Sequence, residues 1–268
     1  MSSHPSLPFA PQAAQPLTFN PRDLIGGLEK GLAVIEAFDL DKPRLSITEV
    51  ANRAGLSRAA ARRYLLTLTQ IGYAHFDGRR FSLTPRVLRL GQSYMHSARL
   101  PRLIHPKLTH LVQQTGDASS AGVLDTDDVI SIAACSSSPH LSPRLQAGTR
   151  APAYCTANGR VLMAFEPEAR WESWLARQRL LPLTARTVTN AAALRQELLR
   201  TRDRGFAIVD QELEPDLRTL AVPLYNSSGR VVAALNLGVS ASRYSVDELA
   251  TRGLPLLRQA QAELRALI

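Results

Sequence analysis

Arginine side chains are concentrated in one short part of the sequence. From Ser57 to Arg89 there are seven arginines and one acidic residue, Asp77, so this stretch carries +6 of the chain's net charge of +9. The arginines are Arg58, Arg62, Arg63, Arg79, Arg80, Arg86 and Arg89. Guanidinium groups bind phosphates through paired hydrogen bonds and also contact the edges of guanine bases. The chemistry that this cluster indicates is therefore the binding of a nucleic acid.

Two short helices are predicted to position the first part of the cluster. Ser46, followed three residues later by Glu49, has the pattern of a capping box at a helix start, and Gly55 ends that helix. Ser57 can cap a second helix that continues to Gly72 and carries one apolar face. That face consists of Ala61, Leu65 and Leu68.

A wing is predicted behind the second helix. Residues 73–76 and 80–83 are strand-like runs, and Asp77-Gly78 between them predicts a tight hairpin turn. Two helices joined by a glycine-containing turn and followed by a basic hairpin make a winged helix-turn-helix, although a packing unit with a solvated arginine face and a protein-binding module remain alternatives. The residues expected to contact DNA lie at the helix starts, on the exposed helix face and at the wing tip: Ser46, Thr48, Ser57, Arg58, Ala59, Arg62, Arg63, Arg79 and Arg80.

The flanking sequence divides the chain into further parts. Residues 1–20 are rich in Pro, Ser, Ala and Gln and are expected to form a disordered tail before a DNA-binding domain at 21–84. A Thr-Pro pair predicts the start of a linker helix over 85–100, whose apolar stripe must pack against the next domain or a second subunit. Residues 101–268 mix helices with mostly antiparallel strands, which predicts an α+β domain of the sensor type. Helices are predicted there at 101–114, 157–165, 171–179, 191–204 and 246–267, and strands at 118–124, 129–135, 206–210, 219–225 and 231–239, with a short strand within 145–154.

The composition narrows the function classes. The net charge of +9 favours an acidic partner, with nucleic acid first and an anionic membrane surface second. Two cysteines, Cys135 and Cys155, without a Cys/His cluster argue against a zinc site and fit a reducing compartment. No apolar run reaches the ~18 residues that span a bilayer, and the N-terminus lacks the pattern of a secretion signal. We therefore expect a cytoplasmic protein that needs no metal or cofactor and binds no membrane.

Motifs that occur along the chain from Leu24 onward form a specific set. They lie at 28–35, 48–51, 55–63, 72–81, 83–91, 153–164, 210–212, 217–223 and 234–237. Together they resemble the IclR-type transcriptional regulators. The Arg-Ala-Ala-Ala-Arg-Arg run at 58–63 and the Tyr-Cys-Thr run at 154–156 are most similar to the branch of that family that controls aromatic-acid catabolism.

The resemblance implies an assembly and a mode of control. It implies a homodimer or a dimer of dimers on a palindromic double-stranded DNA operator. It also implies a GAF/PAS-like C-terminal domain, with a mixed antiparallel sheet, that binds a small carboxylic-acid effector and mediates oligomerisation. In the aromatic branch the effectors are p-hydroxybenzoate, protocatechuate or intermediates of the β-ketoadipate pathway. Activators and repressors both occur, and an activator would add RNA polymerase as a partner.

The resemblance also places an effector pocket, carried over position by position. Its residues would be Thr156, Ala157, Asn158, Gly159, Asp210, Gln211, Glu212, Thr219, Asn236 and Gly238. A helix that starts at Ala157 would offer free backbone N–H groups to an anion, while Thr219 and Asn236 could instead only close hydrogen bonds within a sheet. Three arginines could add a bidentate contact to a carboxylate: Arg144, Arg150 and Arg218. Ala157 and Asn158 stand where serine and methionine are common in this branch.

An enzyme is the second hypothesis that the residues allow. Cys155 could be a nucleophile with His105 or His140 as its base and Asp210 as the orienting group. No glycine-rich elbow or oxyanion motif surrounds Cys155, and a free cysteine is more often a small buried hydrophobe, so we expect no catalysis. Three acidic residues lack the ligand spacing of a cation site and are expected to form a solvated turn: Asp125, Asp127 and Asp128.

Overall fold

The computed structural model describes residues 19–39, 41–137 and 146–268. The tail predicted at 1–20 lies almost entirely outside the described residues, and so do His140 and Arg144. The chain divides into two compact units between Leu90 and Gly91.

The described part of the N-terminal unit packs three α-helices and a two-stranded hairpin around one core. The helices are α1 (Gly26–Glu36), α2 (Ile47–Arg53) and α3 (Arg58–Gln70), and the antiparallel strands are β1 (Ala74–Phe76) and β2 (Phe81–Leu83). Their buried apolar residues include Val34, Leu45, Val50, Ala61, Leu65, Leu68, Ala74 and Phe81. This arrangement confirms the predicted winged helix-turn-helix.

The helix starts follow the predicted caps. The Ser46 hydroxyl donates to Glu49 Oε2 at 2.7 Å and accepts from the Glu49 backbone N–H at 3.3 Å, which is a complete capping box at α2. Ser57 Oγ accepts from the Ala60 backbone N–H at 3.2 Å at the start of α3. Gly55 has a φ of +64° in the turn between the helices, a conformation that glycine adopts without steric cost.

The wing differs from the predicted hairpin by one residue. Phe76 pairs with Phe81, and the backbone N–H of Asp77 donates to the carbonyl of Arg80, so the turn is centred on residues 78–79 rather than on 77–78. Asp77 Oδ1 accepts from the backbone N–H groups of Arg79 at 2.9 Å and Arg80 at 2.7 Å. The Asp side chain thus takes the place of a backbone carbonyl in closing the turn, a behaviour common to Asp and Asn.

The predicted linker helix over 85–100 is wrong in its bounds. Thr84 caps a 3-10 turn at Pro85–Val87, which continues into α4 (Leu88–Ser97). A new helix, α5 (Arg99–Thr115), then begins before Pro101, because proline is tolerated in the first turn of a helix. The apolar residues of α4 are exposed within the described chain, including Leu88, Leu90, Tyr94 and Met95.

The C-terminal unit is a twisted antiparallel sheet with helices on both faces. The strands are β3 (Ala118–Asp125), β4 (Asp128–Ser136), β5 (Arg150–Pro152), β6 (Ala207–Asp210), β7 (Leu217–Tyr225) and β8 (Val231–Ser240). Beside α5, the helices are α6 (Ala157–Ala164), α7 (Glu168–Arg177), α8 (Ala191–Arg204) and α9 (Val246–Arg265). The strand order is β5-β4-β3-β8-β7-β6, and each neighbouring pair is antiparallel. These features confirm the predicted α+β class.

Alternating residues of the strands separate two cores. On β7, Leu220 and Val222 belong to the apolar cluster that α5 and α9 cover, whereas Ala221 belongs to the cluster beneath α6, α7 and α8. Because side chains on a strand alternate between its faces, the small residues of the sheet lie under α6 and let that helix approach closely.

Helix α6 packs unusually tightly against the turn that precedes it. A 3-10 turn at Ala153–Cys155 leads into α6, and every residue of the helix is buried. A Cβ atom placed on Gly159 would lie 2.2 Å from the carbonyl oxygen of Ala153, so a side chain at this position does not fit. Gly159 therefore sets the position of the N-terminal turn of α6.

We expect Gly159→Ala to reduce the free energy of unfolding, by about 1–3 kcal/mol or more, because the added methyl group overlaps backbone rather than a movable side chain. The matched control is Gly91→Ala in α4, where a Cβ meets nothing within 4 Å and alanine should be neutral or stabilising. Urea unfolding of the two variants, followed by circular dichroism, measures the difference. Equal effects of the two substitutions would contradict this explanation of Gly159.

Candidate nucleic-acid interface and ligand cavity

The exposed face of α3 carries the predicted arginines at two different angles. Successive residues of a helix turn by about 100°, so Ala59 and Arg63 lie opposite the buried Ala61–Leu65 line. Arg58 and Arg62 lie together on the flank, as one turn of separation requires. All three arginines are exposed, and none has an ion pair or side-chain hydrogen bond to the residues that the structure describes. Their guanidinium groups are therefore available to an external anion.

The two arginines of the wing are not equivalent. Arg80 donates to the carbonyl oxygen of Arg44 at 3.1 Å and lies 3.7 Å from Glu49 Oε2, so it joins the wing to the start of α2. Arg79 has an exposed side chain without a partner among the described residues. The backbone N–H groups of Arg80 and Arg79 lower the pKa of Asp77, which keeps this carboxylate ionised beside Arg44. Arg79 is thus the cation that projects from the wing tip.

The hydroxyl groups at the helix starts also differ. The proton of Ser46 is donated to Glu49, whose pKa is lowered by hydrogen bonds from Ser46. Ser57 only accepts in its cap, and Thr48 is exposed in the first turn of α2. Within the described chain, Thr48 and Ser57 therefore keep a hydroxyl proton that can be donated to a phosphate.

A cavity lies between α6 and the sheet of the C-terminal unit. The cavity is open to solvent on one side, and its volume is about 40 Å³. Five of the predicted effector residues line it: Thr156, Ala157, Asn158, Thr219 and Asn236. The other five do not: Gly159, Asp210, Gln211, Glu212 and Gly238. The remaining lining residues are Ser120, Val129, Ser131, Thr149, Ala151, Cys155, Val209, Leu213 and Leu217, so the described lining contains no charged side chain.

Asn236 presents hydrogen-bond donors to this cavity. Its Oδ1 accepts from the Ser120 backbone N–H at 3.1 Å and from the Ser120 hydroxyl at 3.0 Å. The hydroxyl of Ser119 donates to the backbone carbonyl of Asn236 at 2.6 Å and fixes the strand at this point. These contacts decide the orientation of the amide, because its oxygen is held by two donors and its Nδ2 group is left without a partner among the described residues.

The start of α6 presents further donors. Thr156 Oγ1 accepts from the Gly159 backbone N–H at 3.1 Å, which caps the helix. The backbone N–H groups of Ala157 and Asn158 make no hydrogen bond within the described chain, and the helix dipole makes this end favourable for negative charge. The cavity therefore offers N–H donors from α6 and from Asn236, an arrangement suited to an anion without a cationic side chain.

Glu212 lies behind the cavity rather than in its lining. Glu212 Oε2 is 2.7 Å from Arg160 Nη2, and both side chains are buried. Arg160 Nε also donates to the Tyr154 carbonyl at 3.2 Å, and Glu212 accepts from the Val188 backbone N–H at 3.0 Å. This pair connects α6 with the segment after β6.

The arginines proposed for a carboxylate are engaged elsewhere. Arg150 lies 2.7 Å from Asp125 and 3.2 Å from Asp128, and Arg218 Nε donates to Asp210 Oδ1 at 2.7 Å. Arg177 lies 3.8 Å from Asp127, so each of the three turn acids has an arginine beside it.

No group of His, Cys, Asp and Glu among the described residues is arranged to hold a metal ion. None of the helices in the described ranges is both long and apolar enough to cross a membrane.

Cys155 lines the cavity, and two of the residues that a nucleophilic role would require are placed elsewhere. It is fully buried, and its Sγ lies 3.6 Å from the Pro152 carbonyl oxygen. His105 is exposed on α5, which covers the opposite face of the sheet, and Asp210 is paired with Arg186 and Arg218. Neither His105 nor Asp210 is thus positioned to activate this thiol.

Two serines of the sheet were not predicted from the sequence to line the cavity. Ser120 and Ser131 line the cavity from within strands that otherwise read as apolar. The signal in the sequence is a serine within an otherwise apolar strand, since a polar side chain that becomes buried there needs a partner.

A winged helix with exposed arginines, followed by an α+β domain with a ligand cavity, defines a ligand-responsive DNA-binding regulator. Residues 27–78 match the IclR helix-turn-helix domain, and residues 92–265 match the bacterial transcriptional regulator IclR C-terminal domain. The chain belongs to the IclR family.

Relatives of known assignment agree with this family. The chain is 37% identical to the Pca regulon regulatory protein of Pseudomonas putida, over 98% of this chain and 94% of the relative. It is 38% identical to the p-hydroxybenzoate hydroxylase transcriptional activator of Acinetobacter baylyi, over 92% and 93%. A solved structure of the PobR inducer-binding domain from Acinetobacter, a double mutant in complex with 3-hydroxybenzoic acid, is 31% identical with a TM-score of 0.60, over 64% of this chain and all of that domain.

Proposed function

We propose that this protein regulates transcription by binding a palindromic DNA operator under the control of a small aromatic acid held in the cavity beside α6. The observation that carries the proposal is the coexistence of unpaired arginines on α3 with a cavity whose free donors suit a carboxylate. Relatives named for the Pca regulon and for p-hydroxybenzoate hydroxylase support an aromatic acid. The protein acts in the cytoplasm, as a pure binding protein without catalysis.

The DNA complex that we propose places α3 in the major groove. Arg63, opposite the buried face of α3, reads base edges, while Arg58 and Arg62 on the flank and Arg79 at the wing tip bind phosphates or the minor groove. Ser57 and Thr48 donate to phosphates at the helix starts, and Ala59 lets the helix approach closely. Ser46 and Arg80 hold the motif together instead of contacting DNA directly.

We expect Arg63→Ala to weaken operator binding by about 1–3 kcal/mol and to relax the sequence preference at one position of each half-site. Arg62→Ala should weaken binding to all sequences and lower the salt slope by about 1. Fluorescence anisotropy with an operator selected from random DNA by the wild-type protein measures both effects.

The matched control for this experiment is Arg258→Ala. Arg258 is exposed on α9 and has no partner among the described residues, so the substitution removes the same charge outside the motif. An unchanged affinity and salt slope in both α3 variants would show that α3 does not enter the groove.

Effector binding should alter the affinity for DNA. We expect saturable binding of at least one aromatic acid by calorimetry, from a panel of benzoate, 3- and 4-hydroxybenzoate, protocatechuate and short aliphatic acids. The bound acid should change operator affinity by a coupling of about 1–3 kcal/mol, which is roughly 5- to 150-fold. No heat with any aromatic acid would remove this effector class and leave DNA binding intact, and product formation would refute the binding-only role.

The assembly that we propose is a homodimer, with a dimer of dimers as its extension. Leu24, Leu28 and Leu32 follow each other at one-turn spacing in and before α1 and are 60%, 65% and 44% exposed. Apolar side chains concentrated in this way mark an interaction surface, and a second copy is the occupant that a palindromic operator requires. A lone winged helix also makes too few contacts for operator specificity.

We expect Leu28→Glu to shift the protein towards monomer, because a charge at the centre of the α1 stripe must be desolvated in the dimer. Sedimentation velocity at matched concentrations measures the shift. Leu183→Glu is the control, since Leu183 is 41% exposed in the connection between α7 and α8. A Leu28→Glu protein that sediments like the wild type would exclude α1 from the interface.

A further inference from the structure

Asn158 has a buried amide that lacks hydrogen bonds. The residue lies in the first turn of α6, is 6% exposed and lines the cavity. Its Oδ1 is buried and has no hydrogen-bond partner in the described structure. Such a group costs free energy in the folded protein, so an unpartnered amide in a cavity wall calls for an explanation.

Asn158 differs from the other buried groups without partners because it lines the cavity. Three more buried side-chain atoms of the described residues lack partners: Trp171 Nε1, Trp174 Nε1 and Thr201 Oγ1. None of these residues lines the cavity. Asn158 is therefore the one member of this set that belongs to the cavity wall.

The amide of Asn158 lies close to Gly122 of the sheet. A Cβ atom on Gly122 of β3 would lie 3.2 Å from Asn158 Nδ2 and 2.4 Å from Val129 Cγ1. The absence of a side chain at Gly122 thus makes the space into which the amide fits. The amide therefore lies against the sheet where a side chain is missing, and its oxygen has no partner among the described residues.

A carboxylate alone does not satisfy this amide. An ionised carboxylate only accepts hydrogen bonds, so it can use the N–H groups at the start of α6 and Nδ2 of Asn236, but it has no proton for Asn158 Oδ1. The missing partner must bring a donor. A hydroxyl group serves in either orientation of the amide, because it both donates and accepts.

We propose that Asn158 is a specificity-determining residue that accepts a hydrogen bond from a ring hydroxyl of the effector and so selects hydroxylated aromatic acids over unsubstituted ones. The inference rests on the proposed function, in which the cavity binds an aromatic acid. It adds that the effector carries a hydroxyl group, which the cavity wall recognises through a hydrogen bond.

The experiment is calorimetric titration of the full chain with 3-hydroxybenzoate, 4-hydroxybenzoate and benzoate. We expect the wild type to bind at least one hydroxybenzoate about tenfold or more tightly than benzoate, since a site built around a hydroxyl leaves its own polar group unpaired when the hydroxyl is missing. Asn158→Leu, which keeps the size of the side chain, should lose this preference.

Two further variants keep the test decisive. Thr201→Val removes a buried unpartnered hydroxyl that lies outside the cavity, and it should leave the preference unchanged. Asn158→Ala provides a smaller substitution if leucine disturbs α6. Because an unsatisfied group is removed, the thermal midpoint of ligand-free Asn158→Leu should equal or exceed that of the wild type.

The outcomes separate the two proposals. Equal affinity of the wild type for all three acids, or an undiminished preference in both Asn158 variants, would overturn the role of Asn158 while the aromatic-acid effector stands. The absence of binding by any of these acids and by protocatechuate to the wild type would overturn the aromatic effector and the role of Asn158 together.

Discussion

A buried ion pair holds the wall of the ligand cavity in position. Arg160 and Glu212 lie 2.7 Å apart, and their side chains are only 3% and 7% exposed. Removal of either residue would leave the other charge buried and unpaired, which costs much free energy. Their additional bonds to the Tyr154 carbonyl and the Val188 N–H bring the turn before α6, the helix itself and two distant loops to one point. The start of α6, with its free N–H groups, faces the cavity because this contact and the close approach at Gly159 leave the helix one position.

The distribution of partnered and unpartnered arginines separates the two tasks of the chain. In the C-terminal unit, arginines such as Arg150, Arg160 and Arg218 are neutralised by nearby carboxylates. On α3 the arginines are exposed and form no ion pair with the described residues, so their field extends into solvent and favours phosphate. A net positive charge becomes a DNA-binding surface only where intramolecular pairing is missing.

The neutral polar groups of the cavity also differ in whether they have hydrogen-bond partners within the chain. The oxygen of Asn236 accepts from Ser120 twice, which leaves a donor of fixed direction, whereas the oxygen of Asn158 is buried without a partner among the described residues. Preorganised groups of this kind lower the cost of binding because they need not be ordered by the ligand. The cavity can therefore distinguish ligands by the positions of their donors and acceptors without a charged residue.

Local patterns in the sequence determined the elements of this protein. The capping box at Ser46, the Ser57 cap and the apolar line on α3 each depend on residues within one or two turns, and so the winged helix and the α+β class were predictable. The bounds of two elements differ from the prediction. The turn of the wing is centred on residues 78–79, and α5 begins before Pro101. Only the tertiary structure decided which polar residues remain free. Glu212 is consumed by an ion pair while Asn158 is left unsatisfied, because hydrogen-bond partners come from segments far apart in the chain that folding alone brings together.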